Sequence, residues 1–229
     1  MKVEVWSDIM CPFCYIGKRK FEHALEKFEG KENVVVEWKS FLLDPSIKNV
    51  SGKNIHEVLA EKKGWTKEYA QRVNSQVAGM AKEVGLNYQL DKVIPANTFS
   101  AHQLSHLAAR HGLQNQMEEK LFHAYFTDGT DLGNIEALIE LAVVVGLDEQ
   151  EARKALITDE YADDVKADAY EGEQMGVRGV PFFVFDRKYA VSGAQPQEVF
   201  LSALETAWQE HKQNPIPELN NSCGIDGNC

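Results

Sequence analysis

Cys11-Pro12-Phe13-Cys14 stands where one residue pattern gives way to another. Before it, Val3-Glu4-Val5-Trp6 alternates like a short strand. After it, Ile16, Phe21, Leu25 and Phe28 fall on one face of a helix. The cysteine pair therefore sits where a strand hands over to a helix. A helix start carries unpaired N–H groups and partial positive charge, so a thiolate is favoured there over a thiol. Pro12 suits the first helical turn because its φ is already fixed. Cys11 reads as the outer, attacking sulfur and Cys14 as the resolving one, one turn into the helix. A Cys-x-x-Cys pair is also half of a zinc site. The other half would be Cys223 and Cys229, whose Cys-x5-Cys spacing is loose for zinc. The strand–helix setting favours redox chemistry over metal.

Down the chain, the first helix ends in the polar break Gly30-Lys31-Glu32-Asn33. Val34 to Phe41 then reads as a second strand, closed by Leu42-Leu43-Asp44-Pro45. The crossover implies parallel pairing with the first strand. From Ile55 to about Leu156 nearly everything reads as helix. Five segments are marked, by Val58 and Leu59, by Tyr69, Val73, Val77 and Met80, by Phe99, Gln103, Leu104 and Leu107, by Leu121, Phe122 and Tyr125, and by Ile135 to Val145. Breaks fall at Gly64, Gly85, Pro95, Gly112, Gly129 and Gly146. A further helix is expected over 159–175. Tyr161, Val165, Ala169 and Gly172 share its apolar face, and acidic residues including Asp163, Asp164, Asp168 and Glu171 crowd faces that read as solvated. Val180 to Phe185 reads as a buried strand, Asp186-Arg187-Lys188 as a turn, and Tyr189 to Gly193 as its antiparallel partner. A last helix opens at Gln195-Pro196, with Val199, Phe200, Leu204 and Trp208 facing inward. Neither end of the chain has strands enough for a sheet alone. The expected fold is thus α/β, a β-α-β unit and an α-β-β-α unit forming one sheet around an all-helical insertion. The implied division is 1–50 with 159–213 for the sheet domain, 51–158 for the insertion, and 214–229 for a tail.

With 229 residues and 44% hydrophobic content there is enough for a sizeable core. A net charge of −11 argues against nucleic acid and anionic membrane as partners. No stretch is long and apolar enough to span a bilayer, and Met1-Lys2 leads straight into the strand without an export signal. The expected location is cytoplasmic. In that reducing setting, four cysteines in two close pairs point to redox or metal chemistry more than to scaffolding.

Four stretches carry a family resemblance. They are Ser7 to Gly17 around the cysteines, Asn97-Thr98-Phe99-Ser100-Ala101-His102, Gly176 to Phe183, and Val191-Ser192-Gly193-Ala194-Gln195. The chain resembles the DsbA family of thiol–disulfide oxidoreductases, a thioredoxin fold with a helical insertion, and within it the FrnE-like branch. The likeness runs from Met1 to about His211. It implies that Pro181 is a cis-proline facing Cys11 and Cys14, and that Val180 and Pro181, with Pro12 and Phe13, hold an extended substrate as an added strand. It implies no metal and no organic cofactor beyond the redox-active disulfide. Protein or peptide thiols and disulfides are the expected partners, and glutathione and thioredoxin are candidate exchange partners. Two departures matter. The strong oxidants of the family carry Pro-His between the cysteines, and Phe13 replaces that histidine, so a milder oxidant is expected. They also carry a buried Glu beneath the cysteines, where Val5 stands here. Glu4, Asp8, Glu37 and Lys39 are the candidates for moving the Cys14 proton in its place.

His102 and His106, spaced i, i+4, would suit a metal, although packing is the commoner use of such a pair. The resemblance places His102 in the groove above Cys11. Phe13, Tyr15, Phe99 and Phe182 would give that groove an apolar lining. Cys223 and Cys229, with Gly224 and Gly227 between them, form a candidate second redox pair that exchanges with the first. Two other functions share the expected fold. One is a glutathione-dependent isomerase or transferase of the kappa or 2-hydroxychromene-2-carboxylate type, which usually has Ser at the Cys11 position. The other is a redox-controlled chaperone.

Overall fold

The computed structural model describes residues 1–47 and 53–213. Strand β1 (Lys2–Ser7) runs into helix α1 (Pro12–Lys27) and then strand β2 (Val35–Ser40). Six helices follow: α2 (Ile55–Lys63), α3 (Lys67–Glu83), α4 (Phe99–Arg110), α5 (Gln114–His123), α6 (Ile135–Val145) and α7 (Glu149–Ile157). Helix α8 (Ala162–Gln174), strands β3 (Phe182–Phe185) and β4 (Tyr189–Ser192), and helix α9 (Gln197–Gln213) complete the chain. The sheet order is β2-β1-β3-β4. β1 and β2 are parallel, and β3 is antiparallel to both β1 and β4. This is the thioredoxin-like α/β arrangement expected from the sequence.

The sheet is buried on both faces, so alternate residues serve two cores. On one face Phe21 of α1 and Phe200 of α9 pack against Phe183, with ring centroids 4.7–5.9 Å apart. On the other, Trp6 and Val184 pack with Val177, and Trp6 Nε1 donates to the Asp168 carbonyl of α8 at 2.9 Å. A Cβ on Gly172 would meet the Trp6 indole at 2.8 Å, so only glycine lets α8 approach so closely. The β2 edge is closed by a side chain: Gln114 accepts from Trp38 N and donates to Trp38 O, as a neighbouring strand would.

Local signals account for the helix ends. Asn54 and Glu57 form a capping box, and Thr66, Asn134 and Asp148 cap α3, α6 and α7. Gly64 and Gly146 end α2 and α6 in the left-handed region. Four details differ from the sequence expectation. Helix α7 is a separate element after Gly146, because Asp148 restarts the chain. Helix α3 buries Ala70, Asn74, Val77 and Ala81 and leaves Tyr69 and Met80 exposed, since the Asn74 amide bonds His56 Nδ1 at 2.8 Å. Val199 is exposed because α9 turns Phe200, Leu204 and Ala207 inward. Asp168 is not solvated. It is buried, accepting from Ser40 N at 2.9 Å and Lys39 Nζ at 3.0 Å, and so ties α8 to β2. Cys223 and Cys229 lie outside the described residues.

Candidate active site

Cys11 is the N-cap of α1, in extended conformation, with Pro12 in the first helical turn. The Cys11 N–H donates to the Asp8 carbonyl at 2.9 Å, and the Cys14 N–H donates back to the Cys11 carbonyl at 3.0 Å. Both cysteines are thiols. Their surroundings differ. Cys11 is 4% exposed, and its Sγ donates to the Val180 carbonyl at 3.5 Å; Cys14 is wholly enclosed. Burial pushes the Cys14 thiol well up, and the hydrogen bond and charge of Cys11 push it further. The Ser7 side chain and Asp8 backbone, which face the Cys14 sulfur, act the other way.

The Val180–Pro181 peptide is cis, and Pro181 comes just before β3 rather than inside it. Gly17 explains how Pro181 and α1 come together. A Cβ at that position would lie 2.9 Å from Pro181 Cγ, closer than packed carbons tolerate. The rim is apolar. Phe13 is 38% exposed, and Pro12, Phe99 and Phe182 are half-buried.

Tyr15 is not part of the rim. It is enclosed in a stack with Phe122 and Tyr88, centroids 5.0 and 6.1 Å away, and its hydroxyl donates to Glu119 at 2.5 Å. His102 does not line an open groove either. At 1% exposure it lies beneath the surface, with Nε2 3.7 Å from Asp8 Oδ1. His106 turns to Ser40 Oγ at 3.0 Å and Asp168 at 3.2 Å, so the two histidines share no ligand position. Among the described residues no cluster of three or more His, Cys, Asp or Glu could hold a metal ion.

Of the four candidates for the Cys14 proton, three are committed elsewhere. Glu4 is tied to Arg187, Glu37 to Lys2 and Lys39, and Lys39 to Asp168. Asp8 lies beside the cysteines, fully buried. It accepts from Thr98 Oγ1 at 2.8 Å, Met10 N at 3.2 Å and Leu43 N at 2.8 Å. Thr98 precedes α4 and Leu43 follows β2, so one carboxylate holds three segments around the pair.

One participant carries no sequence signal. The Tyr88 hydroxyl donates to the Pro12 carbonyl at 2.7 Å, reaching into the pair from the segment between α3 and α4. Its ring stacks on Phe126 at 4.6 Å. Glu118 of α5 is buried, accepting from Ser105 Oγ at 2.6 Å, and burial pushes its carboxyl up. Tyr88 stands in no motif and reaches the site only through packing of the intervening helices.

Comparison with known proteins follows from this geometry. The family model of the DSBA-like thioredoxin domain matches residues 2–205. The uncharacterized protein YwbO of Bacillus subtilis is 30% identical over 204 residues, covering 88% of this chain and 94% of its own length. The crystal structure of a probable DsbA oxidoreductase from Streptomyces coelicolor is 41% identical, with a TM-score of 0.86 over 99% of this chain and 97% of that one. The cytosolic disulfide reductase DsbM from Pseudomonas aeruginosa shares the fold at 15% identity, with a TM-score of 0.64 over 92% and 100% of the two chains. On the match across residues 2–205, this protein belongs to the DSBA-like thioredoxin domain family.

Proposed function

We propose that the protein is a thiol–disulfide oxidoreductase acting on protein or peptide thiols and disulfides. One observation carries this reading. Cys11 caps a helix start with its sulfur against the Val180 carbonyl, while Cys14 lies one turn deeper and fully enclosed. Such asymmetry suits one attacking and one resolving sulfur. In reduction, the Cys11 thiolate attacks one sulfur of the substrate disulfide and the other leaves as a thiolate. The Cys14 thiolate then attacks the Cys11 sulfur of the mixed disulfide. The second substrate thiolate leaves, and two electrons have passed from the Cys11–Cys14 dithiol to the substrate. Oxidation is the same sequence reversed, and no other cofactor takes part.

The Val180 and Pro181 segment would lie along an extended substrate, whose backbone pairs with it as an added strand. The Pro12 and Phe13 rim supports apolar side chains near the reacting sulfur. Phe13 offers a thiolate no hydrogen bond, which supports a milder oxidant than a histidine at that position would give. Glutathione is the second reading for the exchanging thiol. It is favoured by the shared fold of DsbM, which has also been solved with GSH.

The test is insulin reduction together with oxidative refolding of a reduced protein. Cys11→Ser is expected to bring both to background. Cys14→Ser is expected to accumulate a mixed disulfide on Cys11. Undiminished turnover by Cys11→Ser would overturn the reading.

A further inference from the structure

The peptide between the two cysteines is gripped from outside α1. The Tyr88 hydroxyl donates to the Pro12 carbonyl at 2.7 Å. That hydroxyl has little freedom. Tyr88 is 7% exposed, and its ring lies against Phe126 at 4.6 Å and Tyr15 at 6.1 Å, tilted 22° from each. Its segment is fastened to the turn after α5. Gln89 N donates to the Phe126 carbonyl at 2.7 Å, and Thr127 Oγ1 to the Asn87 carbonyl at 3.0 Å. Burial pushes the Tyr88 hydroxyl up, and the charges of Cys11 and Cys14 push it further, so it stays a donor and lies within electrostatic reach of both sulfurs. Tyr15 and Arg19 also act on it, and both are engaged with Glu119.

Cys11 is the N-cap of α1, so Pro12, Phe13 and Cys14 are its first three helical residues. An N-cap side chain accepts from the N–H of the second or third of these. In the dithiol Cys11 makes no such bond, because its thiol is turned to donate to the Val180 carbonyl at 3.5 Å. A thiolate has no proton for that carbonyl and needs donors instead. The Cys14 N–H is already given to the Cys11 carbonyl at 3.0 Å. The Phe13 N–H belongs to the first helical turn and has no helix carbonyl to bond. It is the other end of the same planar peptide unit whose carbonyl Tyr88 holds. A hydrogen bond received at a peptide oxygen fixes that plane, and it polarises the unit so that its N–H is a stronger donor.

We infer that Tyr88 is a positioning residue for Cys11: it holds and polarises the Pro12–Phe13 peptide, so that the Phe13 N–H meets the Cys11 sulfur once that sulfur is a thiolate. The inference rests on the thiol–disulfide reading above and deepens it. Tyr88 touches no reacting atom and takes no proton; its hydroxyl acts through one peptide unit. The Phe13 side chain offers the sulfur no hydrogen bond, and the backbone of the same residue supplies one. The strand-to-helix junction places the sulfur at a helix start. A residue from between β2 and α8 then decides how well that start receives the charge.

The test is the pH profile of Cys11 alkylation by iodoacetamide, which reacts with the thiolate. The parent is the full reduced chain carrying Cys14→Ser, and peptide mass mapping reads Cys11 alone. Tyr88→Phe keeps the ring in its stack and removes only the hydroxyl. Its profile is expected to move to higher pH, with the rate on the rising limb down about threefold, near the low end of what one hydrogen bond contributes. The alkaline plateau should match the parent, since the thiolate forms there without help. A profile that coincides with the parent overturns the inference. Thr127→Val loosens the same segment but leaves the hydroxyl, and it is expected to keep the parent profile. An equal shift in Thr127→Val would assign the effect to packing and overturn the inference as well. If Tyr88→Phe does not fold, NMR of the parent decides. The Phe13 amide proton must move downfield as Cys11 ionises, and an indifferent amide overturns the inference. A parent whose Cys11 is not alkylated at any pH, or insulin reduction undiminished in Cys11→Ser, would instead strike the thiol–disulfide reading itself.

Discussion

Two buried polar regions flank β1, and they are built in opposite ways. Around Asp168 every charge is answered. Lys39 Nζ, Ser40 N and His106 all reach its carboxylate, and Trp6 caps its backbone carbonyl. Burial pushes the Asp168 carboxyl up, but the His106, Ser40 and Lys39 contacts outweigh it and hold the group below its ordinary value. Around Asp8 the arrangement is left incomplete. Asp8 has neutral donors only, and His102, Ser7 and Tyr125 each keep an unpartnered atom. A closed network stabilises one charge state and resists change. The first region reads as fastening, while the second leaves polar atoms unanswered, although both are buried clusters of acids and histidines.

That contrast can be broken by experiment. The largest effect is expected from Asp168→Ala, which strands the Lys39 cation and the Ser40 N–H. Removing one partner of a buried charged network costs about 3 kcal/mol. Urea denaturation should show the loss, while insulin reduction by the folded variant keeps the wild-type rate. A slower rate in the folded variant would mean that the Asp168 cluster is not mere fastening. Gly17→Ala should act on both properties. Its methyl group meets Pro181 Cγ at 2.9 Å, so α1 and the Val180–Pro181 segment must separate. About 1–3 kcal/mol of overpacking is expected in the denaturation midpoint. Insulin reduction should slow, because Cys11 loses its place against the Val180 carbonyl. Full activity at reduced stability would detach Gly17 from the site.

The smallest effect belongs to a third charged cluster, nearer solvent. Burial pushes the Glu119 carboxyl up, but Arg19, Lys18 and Tyr15 prevail and bring it down to about 2. A carboxyl depressed on folding adds stability above its unfolded value of 4.5. That stability is lost as pH falls from 4.5 towards 2. Glu119→Gln should therefore cost about 1 kcal/mol at neutral pH, discounted for its partial exposure. The difference from wild type should vanish in acid melts, and a pH-independent difference would assign the effect to packing.

Much of the sheet domain was legible in the chain because its signals are local. The alternation in Val3 to Trp6, the β-branched run from Val34 and the apolar Phe182 to Phe185 each fixed a strand, and the crossover after α1 left few topologies. Glycines at 64, 85, 112, 129 and 146 marked helix ends, and all five have positive φ. The errors share one cause. Tyr69 and Met80 looked inward and Asp168 outward, because hydropathy stands in for burial only when polar groups lack internal partners. Asn74 has His56, and Asp168 has Lys39 and Ser40. Tyr15 was misplaced for a related reason, since its neighbour in sequence is the site but its neighbours in space are Phe122 and Tyr88.

What the sequence determined by itself was the cysteine pair and its setting. A Cys-Pro-Phe-Cys run at a strand-to-helix junction places one sulfur at a helix start and the other a turn inside it, by backbone geometry alone. What only the tertiary structure decided was the company those sulfurs keep. Val180, Ser7, Asp8 and Tyr88 come from three segments, and no periodicity links them to residue 11 or 14. Their chemistry depends on burial and on distances of a few ångströms, which arise only when the helices between β2 and α8 pack against the end of β1.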